Sequence, residues 1–392
     1  MYKCIIYDEE NNRKVLNLKV DSKSEVYSYV EKNKLKVVDI KERKSFFKRR
    51  KLKNKDLKVF SKEMSILLKS GCEISKILRI LIDESNDKLR IVLKEIFRNI
   101  EKGNSIKESF ENTKAFSSFY ISMIAAGEVS GNLDDIMDKL ATYYDKENKL
   151  RNKITSILIY PTVLIITMII CFLFILIFLI PNFEDIYADN NVKIPGLTKL
   201  LIFLSHLVRD DLLLIMIGNL FLIGGLIYLK RNNNKFNETI NKLIFKLPII
   251  KTYMKLIISN KFIKALSVLI SSGVQILDSI EISAKVMSNE YIYEKICKAN
   301  EFIKKGNSIG DSLKTVEELP SLLLSMIVIG EESGNLDTVL NTLTEYYENE
   351  LDSRLEIGTK YFENFITLFI GILVGVVVIS MMLPMFDAVS AI

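Results

Sequence analysis

Long charge-free stretches alternate with amphipathic stretches along this chain of 392 residues. Three stretches contain no Asp, Glu, Lys or Arg: residues 154–183, 212–229 and 364–386. Each is close to or above the roughly 20 residues that an α-helix needs to cross the hydrocarbon core of a bilayer. The pattern therefore predicts three transmembrane helices, with bounds 156–182, 212–229 and 364–386.

Outside these stretches, apolar residues recur with the period of an α-helix. Within residues 57–68 they are spaced as on one buried helix face, and residues 262–270 repeat that spacing. No alternating strand pattern occurs in 56–155 or 230–363. We therefore predict an all-α polytopic membrane protein in which these two regions are helical-bundle domains.

The two amphipathic regions are copies of one another. The sequence FSKEMSILLKSG at 60–71 aligns with FIKALSVLISSG at 262–273, and SMIAAGEVSGNLD at 122–134 aligns with SMIVIGEESGNLD at 325–337. The second pair is identical at ten of thirteen positions, and the offset is 202 in the first pair and 203 in the second. The repeated unit is a helical domain together with the span that follows it.

Glycine residues mark the expected helix ends in both copies. The left-handed residue that ends a helix is predicted at four positions in particular: Gly71, Gly131, Gly273 and Gly334. Ser105 begins an S-x-x-E capping box. Asn132 and Asn335 are expected to cap the next helices, which should run unbroken from Leu133 into the first span and from Leu336 into the third.

The first 55 residues differ from the repeats. Residues 1–40 alternate weakly, which predicts a small strand-containing module with a helix near 25–33. Residues 41–58 hold ten Lys or Arg against two acidic residues. They are interpreted either as a solvated linker or as a basic surface for anionic lipid or an acidic partner. The few aromatic residues there argue against nucleic acid.

The distribution of Lys and Arg predicts the orientation in the membrane. Basic residues precede the first span and follow the second, whereas 183–211 carries three basic and five acidic residues. By the positive-inside rule, both domains face the cytoplasm and 183–211 is an external loop. Residues 1–8 lack the pattern of a cleavable signal peptide. We therefore expect a multi-pass protein of the cytoplasmic membrane with its N-terminus inside and its C-terminus outside.

The residues needed for catalysis or transport are scarce. The chain has one histidine, His206, four widely separated cysteines, and neither a P-loop nor an H-E-x-x-H motif. The absence of ionisable residues from the spans argues against a transporter or channel subunit, the alternative from another class. Acidic residues near Glu128 and Glu331 could hold a divalent cation, but helix-dipole roles account for most of them. No enzyme activity, cofactor or metal is predicted.

Small residues and one proline stand out within the spans. Gly371 and Gly375 form G-x-x-x-G in the third span, a pattern that lets helices approach closely. Packing within the chain and packing between chains are both open at this point. Pro161, near the start of the first span, either bends the helix or marks a rigid entry into the membrane.

The duplicated glycine–acid motif, combined with three spans, resembles the type II secretion system F family. These are inner-membrane platform proteins of type II secretion systems, type IV pili and competence pseudopili. The resemblance covers roughly residues 56–387. It departs from the family at Glu63, where a glutamine is usual, and at Ala265, its counterpart. The residues that carry it are Gly127, Glu128, Gly131, Leu133, Gly330, Glu331, Gly334, Leu336 and the pair Tyr160-Pro161.

The resemblance implies a scaffold that works with other proteins. It implies an oligomeric platform coupled to a cytoplasmic hexameric ATPase, to pilin or pseudopilin subunits and to other inner-membrane components. It also implies a first cytoplasmic domain of about six helices. Which of the three machines the chain serves is left open.

Overall fold

The computed structural model describes residues 2–7, 13–18, 36–42, 52–182, 184, 196–232 and 248–390. These residues form two compact units that divide between Lys51 and Leu52. The expected helix near 25–33 and residues 43–51, half of the basic segment 41–58, lie outside the described residues.

The N-terminal unit contains an antiparallel sheet of three strands. They are β1 (Tyr2–Tyr7), β2 (Arg13–Leu18) and β3 (Lys36–Glu42), in the order β2-β1-β3. Tyr2 pairs with Leu18 and Tyr7 with Arg13, and the pairing of β1 with β3 shifts register between Ile5 and Ile6. The strand-containing module expected from the weak alternation is confirmed.

The first repeat consists of six helices, as the resemblance implies. They are α1 (Asn54–Lys69), α2 (Ile74–Glu84), α3 (Asp87–Glu101), α4 (Ile106–Asn112), α5 (Ser118–Ser130) and α6 (Leu133–Phe174). After α6 the chain passes through one π-helical turn, Ile175–Leu179, and stays helical to Asn182. The expected unbroken run from Leu133 into the first span is confirmed.

Aromatic side chains form the centre of the first repeat. Phe60 of α1, Phe110 of α4 and Tyr120 of α5 are fully buried. The ring of Phe116 lies 4.9 Å from that of Phe110 and 4.8 Å from that of Tyr120. The hydroxyl groups of Tyr120 and Ser61 are 2.8 Å apart, so the buried phenol keeps a hydrogen-bond partner. Each such ring contributes about 1.5–3 kcal/mol by burial.

The second repeat has the same helix order. Its helices are α8 (Pro248–Ile270), α9 (Ile276–Val286), α10 (Glu290–Lys304), α11 (Ile309–Leu313), α12 (Ser321–Glu332) and α13 (Leu336–Ser390). Its buried core contains Phe262, the counterpart of Phe60, and Tyr347, the counterpart of Tyr144. The helix from Leu336 runs unbroken through the third span, as expected. The all-α fold class with two homologous domains is confirmed for the described residues from Leu52 onward.

Helix ends follow the glycine pattern. Gly71, Gly131, Gly273 and Gly334 all have φ between +68° and +82°, the left-handed region. Ser105 accepts a hydrogen bond from the amide of Glu108, and Ser308 does the same for Asp311. Asn132 occupies the N-cap position of α6 as expected, but its side chain makes no capping hydrogen bond. Its amide instead donates to the Ser130 hydroxyl at 3.4 Å.

Between the repeats lies α7 (Gly196–Asn232), which bends at Asp211. Residues 196–210 were expected in an external loop but are helical. Their apolar face explains this, because Leu201 and Ile202 pack with Leu176, Ile180 and Val377 near the ends of both neighbouring apolar helices. The Ser205 hydroxyl donates to the Leu176 carbonyl at 2.5 Å.

Within the part of the chain that the structure describes, two helices are long and apolar enough to cross a membrane. They are Leu133–Asn182 and Leu336–Ser380, and only 11% of the most apolar window of each is buried. A core helix of a soluble protein would be mostly covered, so these exposed apolar surfaces fit lipid contact. The span predicted at 212–229 lies within α7 and stays a prediction.

Candidate functional site

The duplicated motif builds a junction between three helices. Glu128, near the end of α5, accepts hydrogen bonds from the amides of Ile106 and Lys107 at 2.6 and 2.9 Å. These amides open α4, where backbone donors have no partner within the helix. Together with Ser105, which binds the third amide, Glu128 satisfies the start of α4 and places a negative charge at the positive end of its dipole.

The second copy repeats this junction. Glu331 accepts from the amide of Ile309 at 2.8 Å and from that of Gly310 at 3.2 Å. Each carboxylate therefore caps the start of the preceding helix: Glu128 of α5 caps α4, and Glu331 of α12 caps α11. The helix-dipole role expected for the acidic residues is correct for this pair, with the cap formed on a neighbouring helix.

The glycine before each glutamate lets two helices approach closely. A Cβ atom at Gly127 would lie 3.0 Å from a side-chain atom of Ile136 and 3.2 Å from Cα of Leu133. A Cβ at Gly330 would lie 3.2 Å from Cα of Leu336. Leu133 and Leu336 begin the long helices, so the glycine–glutamate pair fixes where each long helix leaves its domain.

Two further acidic residues near the first junction, Asp135 and Asp138, pair with lysines. Asp138 lies 2.8 Å from Lys62 and 3.3 Å from Lys69. The hydrogen bond from Lys62 is the main cause that lowers the pKa of Asp138. Asp135 lies 3.4 Å from Lys139. Among the described residues, no group of three or more His, Cys, Asp and Glu side chains is arranged to hold a metal ion.

A buried lysine joins the two repeats. The Lys264 ammonium, on α8, lies 3.5 Å from a carboxylate oxygen of Glu147 on α6 and 3.0 Å from one of Glu348 on α13. The Lys264 side chain is only 4% exposed. Lys146 binds the other oxygen of Glu348 at 2.8 Å. The four groups thus form a network between helices of both copies.

The network continues along α6 and α13 toward the apolar segments. Lys153 lies 3.1 Å from Asp352 and 3.0 Å from Glu356. Lys146 of α6 pairs with Glu348 of α13, and the later residue Lys153 pairs with the later residues Asp352 and Glu356, so the two long helices run parallel. Apolar residues of the second repeat, Ala265 and Leu269, also belong to the core cluster of the first. The repeats therefore share one packed interface.

The candidate residues in the spans remain apart from this network. Pro161 is buried inside α6, which continues helically through it. Nothing lies within 4 Å of an added Cβ at Gly371 or Gly375, so the described residues supply no close partner for the G-x-x-x-G face. His206 lies 2.9 Å from Glu184 and is exposed.

Comparison with known proteins assigns both repeats to the same family. The family model described as "Type II secretion system (T2SS), protein F" matches residues 60–181 and again residues 262–384. The two matches coincide with the two repeats and cover more than half of the chain. The chain belongs to the type II secretion system protein F family.

Relatives of this family member include proteins from two kinds of machine. It is 32% identical over 340 residues to the type IV pilus assembly protein PilC of Thermus thermophilus, covering 86% of this chain and 83% of that protein. It is 29% identical over 345 residues to PilC of Myxococcus xanthus, covering 87% and 82%. It is 30% identical over 345 residues to the type II secretion system protein F of Xanthomonas campestris, covering 86% and 84%.

Sequence reasoning about this family member missed the residues that join its repeats. Lys146 and Lys153 served only as evidence for orientation, and Lys264 and Glu147 were not singled out. A signal was available, because Lys146 and Lys153 are seven apart on one helix while Glu348, Asp352 and Glu356 are spaced by four on the other. Such spacings place each set on one helix face.

Proposed function

We propose that this protein is the inner-membrane platform of a type IV pilus or type II secretion machine. The observation that carries this proposal is the double match to protein F, once on each repeat, with relatives named for pilus assembly and for secretion. The parallel apolar helices that leave the two domains fit a scaffold anchored in a membrane. A transporter or channel is not favoured.

In this proposal the domains lie in the cytoplasm and the protein crosses the membrane three times. The N-terminus is inside and the C-terminus outside, in agreement with the positive-inside rule. Single cysteines introduced at Asp278 and at His206, in a background without reactive native thiols, test this orientation. A membrane-impermeant thiol reagent applied to intact cells should label position 206 and spare position 278. Labelling of position 278 would contradict it.

The proposal also assigns a division of labour. A separate hexameric ATPase hydrolyses ATP, and this protein carries the resulting motion to pilin or pseudopilin subunits without catalysing a reaction. Other inner-membrane components and further copies of this chain complete the platform. The basic segment 41–58 and the surface of the first repeat are the two candidate docking sites for the ATPase.

Affinity purification of the full chain from crosslinked membranes of its own host tests the assignment of partners. We expect the assembly ATPase and pilin-like subunits to be enriched relative to a tagged, unrelated multi-pass protein. Replacing the ten basic residues of 41–58 with Gln decides between the two docking sites. If the ATPase docks on that segment, the variant should no longer enrich it; if it docks on the first repeat, enrichment should persist. No enrichment of either partner would count against the proposal.

A further inference from the structure

The two repeats contact each other through faces that are not equivalent. Helices α8 and α9 of the second repeat pack against α5 and α6 of the first. We call the surface of α8 and α9 the docking face and the surface of α5 and α6 the receiving face. The docking face contributes Ala265, Val268, Leu269, Ile282 and Val286 to the core cluster of the first repeat. Such a head-to-tail contact uses each face once and leaves its duplicate unused.

The unused receiving face lies on α12 and α13 of the second repeat. On the first repeat, Phe119 and Tyr143 are 1% and 4% exposed. Their counterparts by the repeat offset, Leu322 and Tyr346, are 43% and 47% exposed. Ile329, which lies about two turns after Leu322 on α12, is 52% exposed. The same positions are thus covered in one copy and open to solvent in the other.

The unused docking face lies on α1 and α2 of the first repeat. Ile66 corresponds to Val268 and is 56% exposed. Leu67 and Ile80 correspond to Leu269 and Ile282, so the apolar character of the face is kept. An unpaired apolar surface of this kind on a domain outside the membrane marks an interaction site.

Charge complementarity is also retained between the two unused faces. Lys264 of the occupied docking face binds Glu147 of the occupied receiving face. Their counterparts are Lys62, which is 56% exposed and pairs with Asp138, and Glu350, which is 29% exposed and pairs with Arg354. A second copy placed by the same relationship would bring these opposite charges together. These two residues repeat the charges of the ion pair within the chain, and a contact between chains would draw them away from Asp138 and Arg354.

Two acidic substitutions distinguish the unused docking face from the occupied one. Glu63 stands where Ala265 stands in the second repeat, and Glu84 where Val286 stands. Burial, followed by the charge of Glu84, raises the pKa of Glu63. Covering this face adds a desolvation cost that the contact within the chain does not have. A contact between chains is thereby weaker and reversible.

We infer that copies of this protein associate head to tail, with α1 and α2 of one copy seated on α12 and α13 of the next. Because α6 and α13 run parallel, the first repeat is related to the second by a rotation about an axis close to the membrane normal. If the same rotation places each further copy of the chain, the copies are arranged around that axis as a ring. This inference rests on the proposed platform function for one point, that the protein works as an oligomer. It adds which surfaces the copies use.

Site-specific photo-crosslinking in membranes tests this contact. A benzophenone amino acid at position 329 of the full chain should give a product of two chains, with the crosslinked peptide from residues 62–84 of the second copy. The same probe at position 91, whose native isoleucine is 64% exposed on α3 outside both faces, is the matched control and should give none. Introducing Ile66→Asp should remove the product at position 329 without lowering protein level.

Three results would overturn the inference. They are equal yields from positions 329 and 91, a crosslink to a different region of the chain, and a crosslink from position 329 to another protein only. These outcomes are distinguishable from failure of the platform proposal, which is decided by pilus or secretion phenotypes of strains that lack the protein.

Discussion

Lys264 and Glu147 are separated by 117 positions and lie on different repeats, yet their charged atoms are 3.5 Å apart in a largely buried setting. Replacing Lys264 with Met leaves Glu147 and Glu348 facing each other without their shared cation. We expect the free energy of unfolding to fall by about 2 kcal/mol. Removing one partner of a fully buried ion pair costs ~3–5 kcal/mol, and the loss here is smaller because both carboxylates keep some contact with water. Thermal unfolding in detergent measures it.

The control for Lys264→Met is Lys285→Met. Lys285 pairs with Glu281 at 2.7 Å on the exposed surface of α9. Surface pairs of this kind contribute under ~0.5 kcal/mol. Equal losses in the two variants would contradict a special role for Lys264 in holding the repeats together.

Acid should weaken the same contact. Burial acts to raise the pKa of Glu348, but the hydrogen bond from Lys146 and the charge of Lys264 outweigh it, and the net pKa is below its ordinary value of 4.5. A carboxylate whose pKa is lower in the folded state than in the unfolded state stabilises the protein at pH values above the unfolded-state pKa. This stabilisation is lost as the pH falls through the folded-state pKa.

The pH dependence of the melting temperature measures this contribution. We expect the wild-type protein to lose stability more steeply than Glu348→Gln as pH falls below 4.5, because the variant has no proton to take up at this position. Parallel curves for the two proteins would show that Glu348 does not carry the effect.

Charge reversal at the junction should unfold the start of α4. Glu128→Lys removes two charge-assisted hydrogen bonds to the amides of Ile106 and Lys107 and puts a cation at a helix N-terminus. We expect a loss of roughly 2–4 kcal/mol and a depleted protein level in membranes. Glu111→Lys, an exposed change near the end of the same helix, is the matched control and should be nearly neutral.

The Glu128→Lys result also decides between two hypotheses. If the variant were present at the wild-type level and failed only in assembly, the motif would act as a coupling surface and the capping role would be secondary. The same comparison at Glu331→Lys checks the second copy independently, since its carboxylate makes the equivalent contacts.

Gly310 should tolerate a side chain only if Val328 becomes smaller. A Cβ atom at Gly310 would lie 2.2 Å from a methyl carbon of Val328. In the first repeat Lys107 corresponds to Gly310 and Ala125 corresponds to Val328, so there the larger side chain is at the first position and the smaller one at the second. We expect Gly310→Ala to cost about 1–3 kcal/mol through overpacking.

A double-mutant cycle tests the coupling at this pair. Gly310→Ala combined with Val328→Ala should be less destabilised than the sum of the two single variants, because Val328→Ala removes the clashing methyl groups. Additive losses would contradict the proposed exchange of sizes between the repeats.

Local signals predicted much of the fold. Gly71, Gly273 and the other left-handed glycines mark helix ends because few other residues adopt that conformation. The helical period and the absence of charge predicted the amphipathic helices and the long runs from Leu133 and Leu336. Asn132 lies at the N-cap without a capping hydrogen bond, because a residue type that favours capping does not fix whether its side chain turns toward the helix.

Long-range relationships were not predictable in this way. The pairing of Lys264 with Glu147, or of Ser205 with Leu176, depends on how whole helices pack, and no local pattern carries that information. Residues 196–210 were assigned to an external loop from the balance of three basic and five acidic residues in 183–211, and that balance carries no information about their apolar face. Glu128 was singled out from the repeat, but its partners on α4 appear only when the three helices are assembled.

The most direct test of the platform proposal is the phenotype of a strain that lacks this protein. Surface pili and secreted proteins should be counted in the deletion strain, in the same strain carrying the wild-type gene, and in one carrying the empty vector. The proposal predicts that pili or secretion are lost on deletion and restored only by the gene. Assembly and secretion at the wild-type level in the deletion strain would contradict it.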